Sequence, residues 1–455
     1  MKPEKKREKL RRTDTTSLWH PFTQMRDYGR GEPVIIERGK GAHLYDVDGN
    51  KYIDGVSSLW VTVHGHRKKP IDDAIIAQVG KICHSTLLGI SNVPAIELAG
   101  KLVAIAPQGL SRVFYSDSGS TAVEIGLKIA YQYWQQRSRE TRRKKKFICL
   151  TNAYHGDTIG AVSVGGIDLF HEMYRPLLFR SLKAPSPYCY RCPLGKAHPA
   201  CGLGCLNSLE DVLRARGRET AAFIMEPLVQ GAAGMITFPK GYIAGARELC
   251  SRYGVLCIAD EVATGFGRTG RMFACEHERV RPDIMCLAKG ITGGTLPLAA
   301  TLVTDEIYGA FLGEVHECKT FYHGHTYTGN PVACAAACAS IDIFSRERVL
   351  ERLQPKIKRL SARLREIAGY GHVGQVRQRG FMVGIELVAD KETKRPYALK
   401  ERVGHRVILE ARKHGVIIRP LGDVIVLMPP LSISLRELDR LCTVVFRAIE
   451  TITGP

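Results

Sequence analysis

Residues 255–270 read VLCIADEVATGFGRTG, and residues 283–294 read DIMCLAKGITGG. Val255 to Ala259 is a short apolar run, which predicts a buried strand. It ends in Asp260-Glu261 and a Gly-rich segment. A second run, Ile284 to Ala288, predicts the next strand and delivers Lys289 into Gly290 and a Gly-Gly turn. An acid and an amine would then stand at the ends of successive strands. Such charges are commonly just solvated. Lys289, however, lies between an apolar run and a Gly-rich turn, where a solvated lysine gains little. One cofactor uses this pair: pyridoxal phosphate takes a lysine as covalent anchor and an acid to keep its pyridine nitrogen protonated. Lys289 and Asp260 are the candidate catalytic residues.

Outward from that centre, strands are expected at 147–150, 221–226 and 298–303, each separated from the next by helical chain. That alternation implies an α/β protein with a mostly parallel sheet between helices. Val113 to Tyr115 is a brief strand followed by SDSGSTAVE. Thr121 with Glu124 three residues on reads as a capping box, opening a helix with Ile125, Ile129 and Tyr133 on one face. Gly119 and Ser120 then sit at a helix N-terminus, where backbone N–H groups attract a phosphate. An ordinary capped helix is the alternative. In TNAYHGDT, Tyr154 and His155 fall just past a strand, at the ligand crevice of open α/β sheets. Asp157 is expected to brace that loop. Glu226 ends its strand and is expected beside the ring or against Asp260.

The chain has 455 residues and a net charge of +20. Three regions are expected: an N-terminal segment at 17–66 belonging to a small lobe, a large cofactor-binding domain at 67–344, and a C-terminal small domain at 345–455. Short apolar runs broken by Gly and Asp turns in 34–66 mark a β-meander, with Asp48-Gly49 as a hairpin turn. The first sixteen residues, MKPEKKREKLRRTDTT, are basic without an apolar stretch, so a solvated tail is expected rather than a secretory signal. No apolar run approaches the roughly 18 residues of a membrane span. The charge raises a nucleic-acid reading, but the basic run RSRETRRKKK at 137–146 has no interleaved aromatic residues. Neither a nucleic-acid nor a membrane partner is expected. Cys149, Cys257, Cys286, Cys334 and Cys338 sit singly in apolar runs, as in a reducing, cytoplasmic protein. Cys189, Cys192, Cys201 and Cys205 differ, with C-x2-C-x8-C-x3-C spacing inside an insertion at 188–205. They suit a structural metal, two disulfides or simply a Cys-rich insertion. No metal is expected for the chemistry.

DEVATGFGRTG followed by CLAKGITGG resembles the signature of the class III aminotransferases, pyridoxal-phosphate enzymes. The resemblance runs from Trp19 to about Ser432, through HLYDVDGNKYID, SDSGSTAVE, TNAYHGDT, EPLVQGAAG and FYHGHTYTGNP. It implies the fold-type I architecture: a large domain with a mostly parallel sheet, and a smaller lobe drawn from both termini. It implies pyridoxal 5'-phosphate bound by Gly119, Ser120, Tyr154, His155, Glu226, Asp260, Val262 and Lys289, with Tyr154 stacked on the ring and facing substrate. His325 and Thr326 would reach the cofactor of a neighbouring subunit, which makes a homodimer the expected unit. Phe22, Leu59, Trp60, Gly324 and Arg419 would meet substrate, with Arg419 gripping a carboxylate at two points.

Within the family, WHPF, VSSLW, GFGRTGRMFACEH and RPLGDVIVLMPP resemble a biotin-pathway branch. Its members move an amino group onto the 7-keto carbon of 8-amino-7-oxononanoate. Members drawing that group from S-adenosylmethionine typically carry Tyr where this chain has Phe22, Trp where it has Leu59, and Tyr where it has Val426. Those departures, with the TYTGN loop and the Cys-rich insertion, lean toward L-lysine as donor, S-adenosylmethionine being the other choice. The rival functions are a class III aminotransferase acting on acetylornithine, 4-aminobutyrate or an ω-amino acid, and, more remotely, a basic nucleic-acid-binding protein.

Overall fold

The computed structural model describes residues 3–454. Three strands open it: β1 (Ile36–Lys40), β2 (His43–Asp46) and β3 (Lys51–Asp54). Then come β4 (Leu110–Ser116), β5 (Lys146–Leu150), β6 (Leu182–Ala184) and β7 (Thr220–Met225). A two-residue hairpin, β8 (Val229–Gln230) and β9 (Ile236–Thr237), precedes β10 (Leu256–Asp260), β11 (Ile284–Leu287) and β12 (Ala299–Thr304). The C-terminal part adds β13 (Val373–Arg379), β14 (Met382–Leu387), β15 (Val416–Ile417), β16 (Arg419–Leu421) and β17 (Val424–Leu427).

The central sheet has seven strands in the order β4-β12-β11-β10-β7-β5-β6. Five neighbours, β11 to β6, are parallel, and β12 runs antiparallel to both β11 and β4. The mostly parallel sheet is therefore present, with one reversed strand that an apolar run alone does not signal. β7, β10 and β11 are buried along their whole length. A strand covered on both faces needs apolar side chains in both directions, which is why these read as continuous apolar runs.

The helix Gly119–Arg137 lies across this sheet and buries Ile125, Ile129 and Tyr133. Gly126 allows the close approach: a Cβ there would sit 3.3 Å from Cys286 Sγ. The capping box differs from the expected one. Ser118 is the cap, accepting from the Thr121 N–H, and Thr121 answers it. Glu124 instead accepts from Thr158 Oγ1 at 2.5 Å and the Gly160 N–H at 2.7 Å. A half-buried turn with free donors competes for that carboxylate and wins.

β1, β2 and β3 form the expected meander, and β15 from the far end of the chain joins them in parallel with β3. The small lobe thus draws on both termini. A second four-stranded sheet, β13-β14-β17-β16, completes it. The basic N-terminal segment is not a tail over its described part: Pro3–Ser17 is helical. Residues 1 and 2 lie outside the described residues. Residues 4–17 contain neither Gly nor Pro, and Arg11 and Arg7 pair with Asp48 at the β2–β3 turn, while Asp14 accepts from Tyr28 Oη at 2.7 Å. No helix among the described residues is long and apolar enough to cross a membrane.

Candidate active site

The carboxyl ends of β5, β7, β10 and β11 open onto one cavity of about 450 Å³. Tyr154, His155, Glu226, Asp260, Val262, Lys289 and Trp60 line it, with Gly119 and Ser120 at the mouth of their helix. Ligands of open α/β sheets bind in that position. Lys289 follows β11 with φ +46°, a left-handed conformation unusual for a side-chain-bearing residue. Burial holds its amine below the ordinary lysine range, against the pull of Asp260 and Glu226, and Arg268 pushes it the same way. Its Nζ stands 5.0 Å over the Trp60 ring. In the segment carrying Trp60, Ser57, Ser58 and Trp60 all have positive φ. Asp54 holds this strained turn by accepting from the Ser58 N–H, and Ser57 Oγ donates to the Met428 carbonyl at 2.7 Å.

Asp260 is fixed from two sides. His155 Nδ1 lies 2.6 Å from one carboxylate oxygen, and the Val262 N–H donates to the other at 3.0 Å. His155 Nε2 is buried without a partner among the described residues. Glu226 does not hold Asp260. It accepts from the Tyr154 N–H at 3.1 Å and the Gly231 N–H at 2.9 Å, tying the β5 loop to the β8 hairpin. Burial pushes its carboxyl up to about 7, His155 pulling against that shift and Asp260 adding to it. Tyr154 Oη donates to Asp157 at 2.8 Å, and the Asp157 N–H donates to Ser120 Oγ, so Asp157 braces the loop as expected.

Pyridoxal phosphate fits these residues. Glycine at 119 and 156 keeps backbone close to the mouth: a Cβ at Gly119 would sit 2.6 Å from Val262, and one at Gly156 would run into Ser120. That leaves the N-terminus of a 19-residue helix open toward the cavity. Asp260 is a buried acid that could meet a ring nitrogen, and Lys289 brings an amine to the same cavity.

Arg419 lies on β16, with its guanidinium 5.9 Å from the Phe22 ring and within electrostatic reach of Tyr154. It makes no ion pair or hydrogen bond among the described residues, and burial lowers its pKa from the ordinary arginine value. Phe22 and Leu59 are exposed, outside the cavity's immediate wall. Val426 is not at the mouth; it is buried in β17, opposite Gly384 and Arg419. Gly324, His325 and Thr326 do not line this chain's cavity. They form a local turn in which the His325 N–H donates to Thr328 Oγ1, and Thr326 is exposed. Sequence reasoning missed Gly156, Ser118 and the Thr295–Leu298 edge of the cavity. Gly294 had a signal in its Gly-Gly pair: φ is +85°, and a Cβ would meet Thr62 backbone at 2.8 Å.

The four clustered cysteines are free thiols that line a narrow slot of about 20 Å³. No group of three or more His, Cys, Asp or Glu side chains among the described residues is arranged to hold a metal ion. The metal and disulfide alternatives are thus not what this geometry shows. Leu194, Leu203 and Lys196 share the slot with the thiols, and Cys205 is buried in the first turn of its helix.

Residues 26–449 match the family described as aminotransferase class-III. This chain belongs to that family of pyridoxal-phosphate enzymes. It is 58% identical over 445 residues to the adenosylmethionine-8-amino-7-oxononanoate aminotransferase of Nitratidesulfovibrio vulgaris, covering 98% of this chain and 82% of that one. To the protein of the same name from Geobacter sulfurreducens it is 54% identical, covering 98% of each. The crystal structure of the so-named enzyme from Methanocaldococcus jannaschii superposes with a TM-score of 0.94 at 49% identity, over 98% of this chain and 99% of that one.

Proposed function

We propose that this chain transfers an amino group to 8-amino-7-oxononanoate, the biotin-pathway reaction named for its relatives. The observation that carries the reading is Lys289 and Asp260 at the ends of neighbouring parallel strands, facing one cavity with Gly119 and Ser120 at its edge. Bound there, pyridoxal phosphate supplies an electron sink for the carbon that loses its proton. Lys289 Nζ, its proton affinity lowered by burial, takes that proton and returns it to the acceptor side. Asp260, oriented by His155 and the Val262 N–H, holds the proton on the ring nitrogen. Tyr154, Glu226 and Val262 line the same cavity and would wall the ring. Arg419, unpaired and desolvated, takes the substrate carboxylate.

The working unit in this reading is a cytoplasmic homodimer. Its support is a run of exposed apolar residues, Leu88, Ile90, Val93 and Ile96, near the loop carrying exposed Tyr322 and Tyr327. His84 and Tyr327, 5.0 Å apart, join the two segments. Patches of this kind mark protein interfaces. Gly324, His325 and Thr326 would then serve the partner's site, which accounts for their distance from this chain's own cavity. In this reading 67–344 is the large domain that binds the cofactor, and 17–66 joins the C-terminal region 345–455 in the small lobe.

The test is a half-reaction. The cofactor-loaded protein is mixed separately with S-adenosylmethionine and with L-lysine while the cofactor absorbance is followed. Conversion by one donor, reversed by 8-amino-7-oxononanoate, supports the reading and identifies the donor. Exposed Phe22 and Leu59, with no hydroxyl or indole for a nucleoside, favour L-lysine. Failure of 8-amino-7-oxononanoate to reverse a donor-driven conversion overturns the substrate assignment.

A further inference from the structure

We infer that Phe170 sets the length of substrate chain this site accepts, a reading that rests on the transamination proposed above. Phe170 sits in the short helical turn Asp168–His171. Its ring lies 5.4 Å from Phe22 and 6.3 Å from Tyr154, edge-on to both. Tyr154 lines the cavity beside Lys289, and Phe22 carries the Arg419 guanidinium over its face. Tyr154, Phe170 and Phe22 therefore form an aromatic row that runs from the cavity of Lys289 outward to the Arg419 guanidinium.

The row is held in place from behind. His171 is buried, its ring nearly parallel to Tyr154 at 6.4 Å and 11°. It packs so closely on Gly165 that a Cβ there would run into the imidazole. Phe170 itself is only half-buried, which leaves surface to cover. The chemistry that fits is an unbranched aliphatic chain with a carbonyl or amine at one end and a carboxylate at the other. Such a chain buries its methylenes on the row and its anion on Arg419. Each methylene buried against apolar surface strengthens binding by about fourfold.

The experiment uses protein reconstituted with pyridoxamine 5'-phosphate and a homologous series of straight-chain ω-formyl carboxylic acids, each in a single turnover. No amine donor is needed. The unaltered protein is expected to gain about fourfold in apparent affinity per added methylene. Phe170→Ala is expected to flatten that gain to about twofold or less while the rate at saturation holds. Phe170→Leu, which keeps apolar bulk, is expected to fall between them and guards against a folding artefact. An unchanged slope in Phe170→Ala, or equal loss of affinity at every chain length, overturns the inference. Failure of 8-amino-7-oxononanoate alone, with the slope in the acid series intact, would sink the substrate assignment and leave Phe170's role standing.

Discussion

Lys289 and Glu226 are both buried ionisable groups, but burial shifts them in opposite senses. For Lys289 the charged form is disfavoured, so a neutral amine is available at a lower pH than in water. Lys289→Ala is expected to lower turnover by more than about a thousandfold and to abolish the Schiff-base absorbance band of the loaded protein. Retention of either would remove this lysine from the chemistry. For Glu226 the carboxyl is raised to about 7, so between about pH 4.5 and 7 the folded state holds a proton that the unfolded chain has lost. Stability then falls as pH rises through that window. Glu226→Gln is expected to remove this slope, making the cofactor-free variant more stable than the parent above pH 7 by up to about 3 kcal/mol. Urea midpoints at pH 5 and pH 8 check it, and a variant-to-parent difference that does not grow with pH would contradict the proton count. These shifts arise first from burial, which the packing of separate loops sets, so nothing in the local sequence around Glu226 discloses them.

At the scale of elements, the turn after β11 depends on one backbone position. Gly294 has φ +85° and lies against the backbone of Thr62, in the strained segment that carries Trp60. Gly294→Ala is expected to cost about 1–3 kcal/mol and to weaken cofactor retention, because the displaced turn follows directly on Lys289. Denaturant midpoints and dialysis of the loaded protein measure the two effects. The elements themselves were largely legible. β7, β10 and β11 show as apolar runs because both their faces are covered, and the helix Gly119–Arg137 shows as helical periodicity. The reversed direction of β12 was not legible, since an apolar run carries no sense of direction. Nor was the Ser118 cap, because Ser118 and Thr121 both suit a helix start and the destination of Glu124 is decided by the turn at 158–161.

Over the whole molecule, the Cys-rich insertion is joined to the C-terminal lobe through a buried ion pair. Glu386 on β14 pairs with Arg377 on β13 and also accepts from Tyr188 Oη at 2.6 Å and Arg191 Nε at 2.7 Å. Arg377 in turn donates to the Gly234 carbonyl at 2.7 Å, beside the hairpin that holds Glu226. Glu386→Ala would leave the Arg377 guanidinium buried and unneutralised, a loss of about 3–5 kcal/mol in unfolding free energy. A loss below about 1 kcal/mol would show that water reaches the pair. On the same scale, the proposed dimer would cover the exposed apolar segments around Leu88 and Tyr322. Sedimentation is expected to give twice the chain mass of 50.4 kDa, and a monomer with full activity would refute the shared site.

The sequence by itself determined the central strands, the apolar face of the helix at 119–137, the two charged strand ends and the Gly-Gly turn after Lys289, because each leaves a local trace in apolar periodicity or turn chemistry. It also carried the family. Only the tertiary structure decided that His155 rather than Glu226 holds Asp260, that the Arg419 guanidinium comes to 5.9 Å from the Phe22 ring, and that the clustered thiols line a slot without metal geometry. Those are contacts between residues far apart in the chain. They are fixed by how the sheet and lobes pack, and packing is set by the whole set of buried surfaces at once, not by any one stretch.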